Sequence, residues 1–188
     1  MSDALHVAVI IASTREGRFG PTVATWFAAR AAEHGQLTVD LIDLADHPVS
    51  TVLGNTPDPG MSDLTARLDA ADAFVVVTPE YNHSFPAGLK SVIDWHYTQW
   101  QAKPIGFVSY GGIAAGLRAV EHLRQVFAEL HSTTVRDTVS FPNCWDKFGP
   151  DGNPLDPAAE VAAKTMLDQL AWWADALRTA RTIRPYAA

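Results

Sequence analysis

Short apolar runs alternate with segments of helical period along this chain, and that alternation restricts it to a sheet built through crossover helices. Leu5–Ala12 is apolar until it stops at the polar turn Ser13-Thr14-Arg15, which predicts strand 1. Pro21–Glu33 is Ala-rich, carries Trp26 and Phe27, and is followed by Gly35. It reads as helix 1, with Pro at an early helical position and Gly as its stop. Leu37–Leu41 alternates with period two, giving strand 2. Residues 43–61 hold three prolines and two glycines and read as a loop. Ser62–Ala70 predicts a short helix with Ser62 as its cap. Ala73–Val77 predicts strand 3, Pro86–Trp100 a helix, and Ile105–Ser109 strand 4. Ile113, Leu117, Val120, Leu123, Phe127 and Leu130 recur in steps of three and four, so Ile113–His131 reads as a one-faced helix. Val135, Asp137, Val139 and Phe141 alternate with polar residues, giving strand 5 with Asp137 as an imperfection. Pro157–Arg178 is the last predicted helix.

Strands separated by helices imply a parallel sheet with helices on both faces, a three-layer α/β sandwich. Strands 1, 3 and 4 are nearly continuous apolar runs, as central strands are. Strands 2 and 5 alternate, as edge strands do. Edges at 2 and 5 match a five-stranded sheet in the flavodoxin-like order 2-1-3-4-5, and do not match the dinucleotide-binding order with strand 3 outside strand 2. The switch point then lies between strands 1 and 3, and a ligand belongs beyond their C-terminal ends.

A length of 188 residues fits one domain, residues 1–188, with a core that needs no disulfide or metal. A net charge of −7 without a basic run argues against nucleic acid and against an anionic membrane surface. The lone Cys144 excludes an internal disulfide framework, and none of the seven histidines stands at metal-motif spacing, so no metal site is expected. The N-terminus lacks a basic n-region and its apolar run is too short for a signal core or a membrane span, which predicts a cytoplasmic protein.

The loops after strands 1, 3 and 4 carry the unusual chemistry. Ser13-Thr14-Arg15-Glu16-Gly17-Arg18-Phe19-Gly20-Pro21 offers hydroxyls, guanidiniums, glycines and a helix N-terminus, the combination a phosphate monoester wants. The plain alternative is a helix cap with two solvated arginines. Thr78-Pro79-Glu80-Tyr81-Asn82-His83-Ser84-Phe85-Pro86 is stiffened by two prolines and can present backbone groups to a planar heterocycle, with Tyr81 and Phe85 over its face. Ser109-Tyr110-Gly111-Gly112, with Gly116 a turn later, allows close backbone approach. Trp95, Tyr97 and Trp100 put aromatic residues on both faces of the third helix, which points to burial against a second subunit as well as the sheet, with a simple core role beside it.

Taken together, the segments Ser13–Gly20, Pro79–Trp95 and Gly111–Arg124 resemble the NADPH-dependent FMN reductase family of flavodoxin-like proteins. The middle segment, PEYNHSFPAGLKSVIDW, is the most specific of them. The resemblance covers most of residues 5–131 and is loose beyond 142. It implies FMN as cofactor and NADPH (or NADH) as reductant. It also implies a small-molecule acceptor such as a quinone, azo compound, metal oxyanion or free flavin, served by a ping-pong route. A homodimer or homotetramer is expected. Carried onto this chain, Ser13, Arg15, Arg18 and Gly20 would hold the FMN phosphate. Pro79, Glu80, Tyr81 and Asn82 would line the isoalloxazine, largely through backbone. Ser109, Tyr110, Gly111 and Gly112 would bound its other side. Some relatives place Ser or Asn near Gly20; with Gly20-Pro21 here, a Gly20 N–H would have to serve.

No side chain is nominated as an essential acid or base, because the flavin carries the chemistry. His83 reads first as a surface histidine and second as a proton donor to an acceptor. Cys144 reads as structural, within a Pro/Gly-rich 142–157 segment that forms a lid or a subunit contact. Asp40 and Asp43 stand where dinucleotide folds keep a ribose-binding acid, but the glycine motif is missing. Two other readings compete: a flavodoxin-type carrier that does not itself oxidise NADPH, and a flavin-free α/β protein that binds a phosphorylated ligand.

Overall fold

The structure, a computed structural model, describes residues 4–54 and 59–187. Its elements follow in the order β1 (Leu5–Ile11), α1 (Gly20–Glu33), β2 (Leu37–Asp43), α2 (Ser62–Ala70), β3 (Ala73–Pro79), α3 (Ala87–Trp95), β4 (Pro104–Tyr110), α4 (Leu117–Glu129), β5 (Thr133–Thr134), β6 (Val139–Phe141) and α5 (Ala158–Ile183). The sheet runs β2-β1-β3-β4, with β5 and β6 both on the outer side of β4, and every pairing is parallel. This is the 2-1-3-4-5 order, with the fifth strand in two pieces.

Period two along the central strands sorts the core into two layers. Val7, Val9 and Ile11 of β1, with Val75 and Val77 of β3, pack on the face covered by α1 and α5. Ala8, Ile10, Phe74, Val76, Ile105 and Phe107 face α2, α3 and α4 on the other side. Every residue of β3 and β4 is buried, which is why these strands read as unbroken apolar runs. β2 is only half covered, and it alternates.

Five sequence expectations are corrected. The third helix ends at Trp95, not Trp100, because His96 adopts an extended conformation. The chain then turns Trp100 back into the core, 4.7 Å from Phe74 and 5.4 Å from Phe127 between ring centroids. Trp95 is also engaged within the chain, donating from Nε1 to the Ser50 carbonyl at 2.7 Å. Of the three aromatics that suggested a subunit surface, only Tyr97 stays exposed.

The fourth helix starts at Leu117, and Ile113 lies outside it, almost fully exposed. Gly116 sets that start. Its φ of +83° belongs to glycine, and a Cβ there would sit 2.8 Å from Ser109 Cβ and 3.0 Å from the Tyr110 nitrogen. Ser62 is the first residue of α2 rather than its cap. Met61 takes the cap position with no side-chain bond, while Thr65 Oγ1 donates back to the Met61 carbonyl at 3.0 Å.

Strand 5 is interrupted at residues 135–138, around Asp137. The Asp137 carboxylate accepts from Arg136 and Gln169, and its backbone N–H donates to Gln169 Oε1. Val135, Val139 and Phe141 are nevertheless buried, as the alternation predicted. Among the described residues no helix is long and apolar enough to cross a membrane.

Candidate active site

A cleft of about 360 Å³ opens beyond the C-terminal ends of β1, β3 and β4, at the switch point of the sheet. Larger concavities exist, including one of about 640 Å³ beside Ala102, Thr133 and Arg181 at the opposite end of the sheet. The cleft joins the three loops singled out by sequence. Of the twelve residues so identified, Ser13, Arg15, Arg18, Pro79, Glu80, Tyr81, Tyr110, Gly111 and Gly112 line it.

The first loop forms one wall. The backbone N–H groups of Ser13 to Gly17 meet no backbone acceptor among the described residues, and the loop runs into the N-terminus of α1. Arg15 is exposed and makes no ion pair among the described residues. Arg18 is different: its guanidinium pairs with Asp43, whose other oxygen accepts from the Ala45 N–H at 3.0 Å. Asp43 therefore orients Arg18. Asp40 is bound by Arg67. Ser13 is fully buried and shares a 2.6 Å hydrogen bond with Tyr81 Oη, which ties the first loop to the second.

The second loop is stiffer than its prolines alone would make it. Tyr81 and Ser84 exchange backbone hydrogen bonds of 2.8 and 3.0 Å around Asn82 and His83, with φ of +50° and +67°. Two consecutive left-handed residues make a tight hairpin turn, a conformation Asn accepts readily and His less so. Asn82 is exposed at the tip and does not line the cleft. Glu80 turns its carboxylate to Arg118 of α4, which donates from Nε at 2.6 Å and from its backbone N–H at 3.3 Å. Arg118 also reaches His83 Nε2 at 2.8 Å, and Ser84 Oγ meets His122 Nδ1 at 3.1 Å. α4 thus holds the turn from behind.

The third loop closes the floor. Tyr110 is 4% exposed, and its buried Oη makes no well-formed hydrogen bond among the described residues, with Ser13 and Tyr81 as its polar neighbours. Burial pushes this phenol well above its ordinary range. Gly20 lies behind the cleft, where a Cβ would stand 2.8 Å from Tyr110 Oη. Ser109 lies beneath it, donating to Ser140 Oγ at 3.2 Å.

Sequence reasoning missed Glu16, Gly17, Phe19, Cys144 and Trp145, which complete the lining. Cys144 and Trp145 arrive through backbone pairing: Asn143 N–H donates to the Gly112 carbonyl at 3.0 Å and Cys144 N–H to the Gly111 carbonyl at 3.1 Å. No local pattern encodes such a pairing. The Pro/Gly-rich character of 142–157, read from sequence as a lid or a subunit contact, was the available signal, and Trp145 within it is 67% exposed.

Three comparisons bear on this geometry. The family model for NADPH-dependent FMN reductases matches residues 5–146. The quinone reductase of Escherichia coli K12 is 33% identical over 179 residues, covering 90% of this chain and 92% of that protein. The probable NADPH:quinone oxidoreductase 2 of Oryza sativa is 31% identical over 179 residues, with 87% and 86% covered. Among solved structures, the flavoenzyme NAD(P)H:acceptor oxidoreductase FerB of Paracoccus denitrificans superposes with a TM-score of 0.73 at 21% identity, over 92% of this chain and 98% of that one. That likeness is one of fold.

Proposed function

The chain belongs to the NADPH-dependent FMN reductase family, oxidoreductases that work with FMN and NAD(P)H, and on that premise we propose how this member works. It takes reducing equivalents from NADPH or NADH and passes them to a quinone, azo compound, metal oxyanion or free flavin. The two substrates use one cleft in turn. The observation that carries this reading is the cleft itself, donor-rich on one wall and rigid and aromatic on the other.

The residues present fit FMN. Backbone N–H groups that meet no backbone acceptor among the described residues, the α1 N-terminus and the exposed Arg15 suit its phosphate. The Pro79–Tyr81 backbone, held by the turn that follows it and by Arg118, suits the isoalloxazine edge, and Tyr110 to Gly112 bound the ring on the other side, with Asn82 and Ser109 supporting from outside the cleft. Arg18 serves the phosphate while keeping Asp43, and Gly20 contributes backbone only. When bound, FMN supplies hydride acceptance and release. The chain's part is to bind, orient and exclude water. His83 is not given a proton-transfer role, since its Nε2 faces Arg118 and it does not line the cleft. A homodimer or homotetramer and a cytoplasmic location belong to the proposal through the family. The aromatic residues 95–100 no longer support the oligomer, because two of the three are used within the chain.

Initial rates of the FMN-loaded protein, with NADPH and p-benzoquinone varied together, test the proposal. Parallel double-reciprocal lines are expected. Intersecting lines contradict the alternating use of one cleft, and a flavin-loaded protein that leaves NADPH unoxidised supports the carrier reading.

A further inference from the structure

We propose that the Tyr110 hydroxyl is a ligand of the FMN phosphate, delivered from β4 into the first turn of α1; the inference rests on the FMN reading above. Tyr110 stands in the loop expected to bound the ring, yet its hydroxyl lies elsewhere. A Cβ at Gly20, the first residue of α1, would be 2.8 Å from Tyr110 Oη and only 3.7 Å from the ring carbon that carries it. The phenol therefore fills the space a side chain at position 20 would occupy. Glycine at 20 is what admits it.

Two independent features meet at that point. One is the positive end of a 14-residue helix, whose first turn has no acidic residue and no side-chain cap. The other is the hydroxyl of a residue only 4% exposed, which makes no well-formed hydrogen bond among the described residues, although buried polar groups nearly always find one. The neighbouring hydroxyls, Ser13 Oγ and Tyr81 Oη, are bonded to each other at 2.6 Å, and Ser13 is the polar side chain beside the Tyr110 phenol. Phe19 packs edge-on to the Tyr110 ring with centroids 6.3 Å apart, which fixes the direction of the phenol. Tyr110 also lines the cleft together with Arg15 and Arg18. An anionic group seated at the α1 N-terminus would accept the bond that the protein alone leaves unmade. FMN carries such a group, and riboflavin, its dephosphorylated form, does not.

That difference gives the test. Dissociation constants of FMN and of riboflavin are measured by flavin fluorescence on the apoprotein, for the unaltered chain and for Tyr110→Phe. Thermal unfolding of both apoproteins is recorded alongside. Losing a hydrogen bond to a charged acceptor weakens FMN binding by roughly ten- to hundredfold. Riboflavin binding is expected to stay the same. The melting temperature of apo Tyr110→Phe is expected not to fall, since the hydroxyl removed made no well-formed hydrogen bond. Equal FMN affinity in the two proteins overturns the inference. So does a parallel loss for FMN and riboflavin, which would place the hydroxyl at the ribityl chain or the ring. An unaltered protein that binds neither flavin overturns the FMN reading itself.

Discussion

Lys103 offers a quantitative test of the packing at the far end of the sheet. It immediately precedes β4 and is 7% exposed. Its Nζ donates to the Leu68 and Asp69 carbonyls at the end of α2, both at 3.0 Å, and lies 5.4 Å from the Phe74 ring centroid. Burial is the main cause that lowers its pKa from 10.5 to about 8, Arg181 adds to the fall, and Asp69 and Asp72 oppose it. In the unfolded chain Lys103 keeps its proton up to its ordinary range. Between about 8 and 10.5 the unfolded state therefore binds more protons, and raising the pH favours the folded state. A tenfold change in proton affinity is worth about 1.4 kcal/mol, so the full effect is roughly 3 kcal/mol. The assay is urea unfolding at intervals from pH 7 to 10.5 for the unaltered chain and Lys103→Met. The stability difference between the two isolates Lys103 from the other groups that titrate there. It is expected to move in favour of the lysine protein by roughly 3 kcal/mol across that range, with most of the change above pH 8. Parallel stability curves would refute the account.

Three further outcomes follow from the same structure. Trp100→Ala empties a fully buried site between Phe74 and Phe127 and is expected to destabilise by about 3–5 kcal/mol in urea unfolding; a loss under 1 kcal/mol would mean Trp100 sits at a surface. Asn82→Ala, at φ +50°, is expected to lose about 1 kcal/mol, and unchanged stability would argue against the left-handed turn. Arg118→Met removes a partly exposed ion pair worth about 1 kcal/mol, so hydrogen exchange at the Tyr81 and Ser84 amides is expected to quicken about fivefold. Unchanged exchange would show that the turn stands without α4.

The strand order was legible because burial writes itself into composition. β3 and β4 are covered on both faces and read as continuous apolar runs, while half-covered β2 alternates. Helix limits were less legible, since periodicity cannot say where a tertiary contact stops a helix. Ile113 is in phase with Val120 and Leu123, yet the backbone needed at Gly116 to pass Ser109 starts the helix four residues later. For Trp100 the sequence leaves a subunit contact and a core role both open, and Phe74 and Phe127, 26 and 27 residues away, decide for the core. The site divides in the same way. Contiguous loop residues such as Ser13, Arg15, Pro79 and Gly111 were readable, being confined to segments that leave β1, β3 and β4. Trp145, and the engagement of Arg18 by Asp43, depend on chain crossings that no local pattern records.

The central claim, an FMN-dependent NAD(P)H oxidoreductase built on this cleft, is tested most directly by the visible absorbance of the protein reconstituted with FMN, before and after anaerobic addition of NADPH. The account predicts the two absorption bands of protein-bound oxidised flavin, their loss on NADPH, and their return when p-benzoquinone is added. A protein that takes up no FMN, or whose bound flavin keeps its colour under both NADPH and NADH, would contradict it.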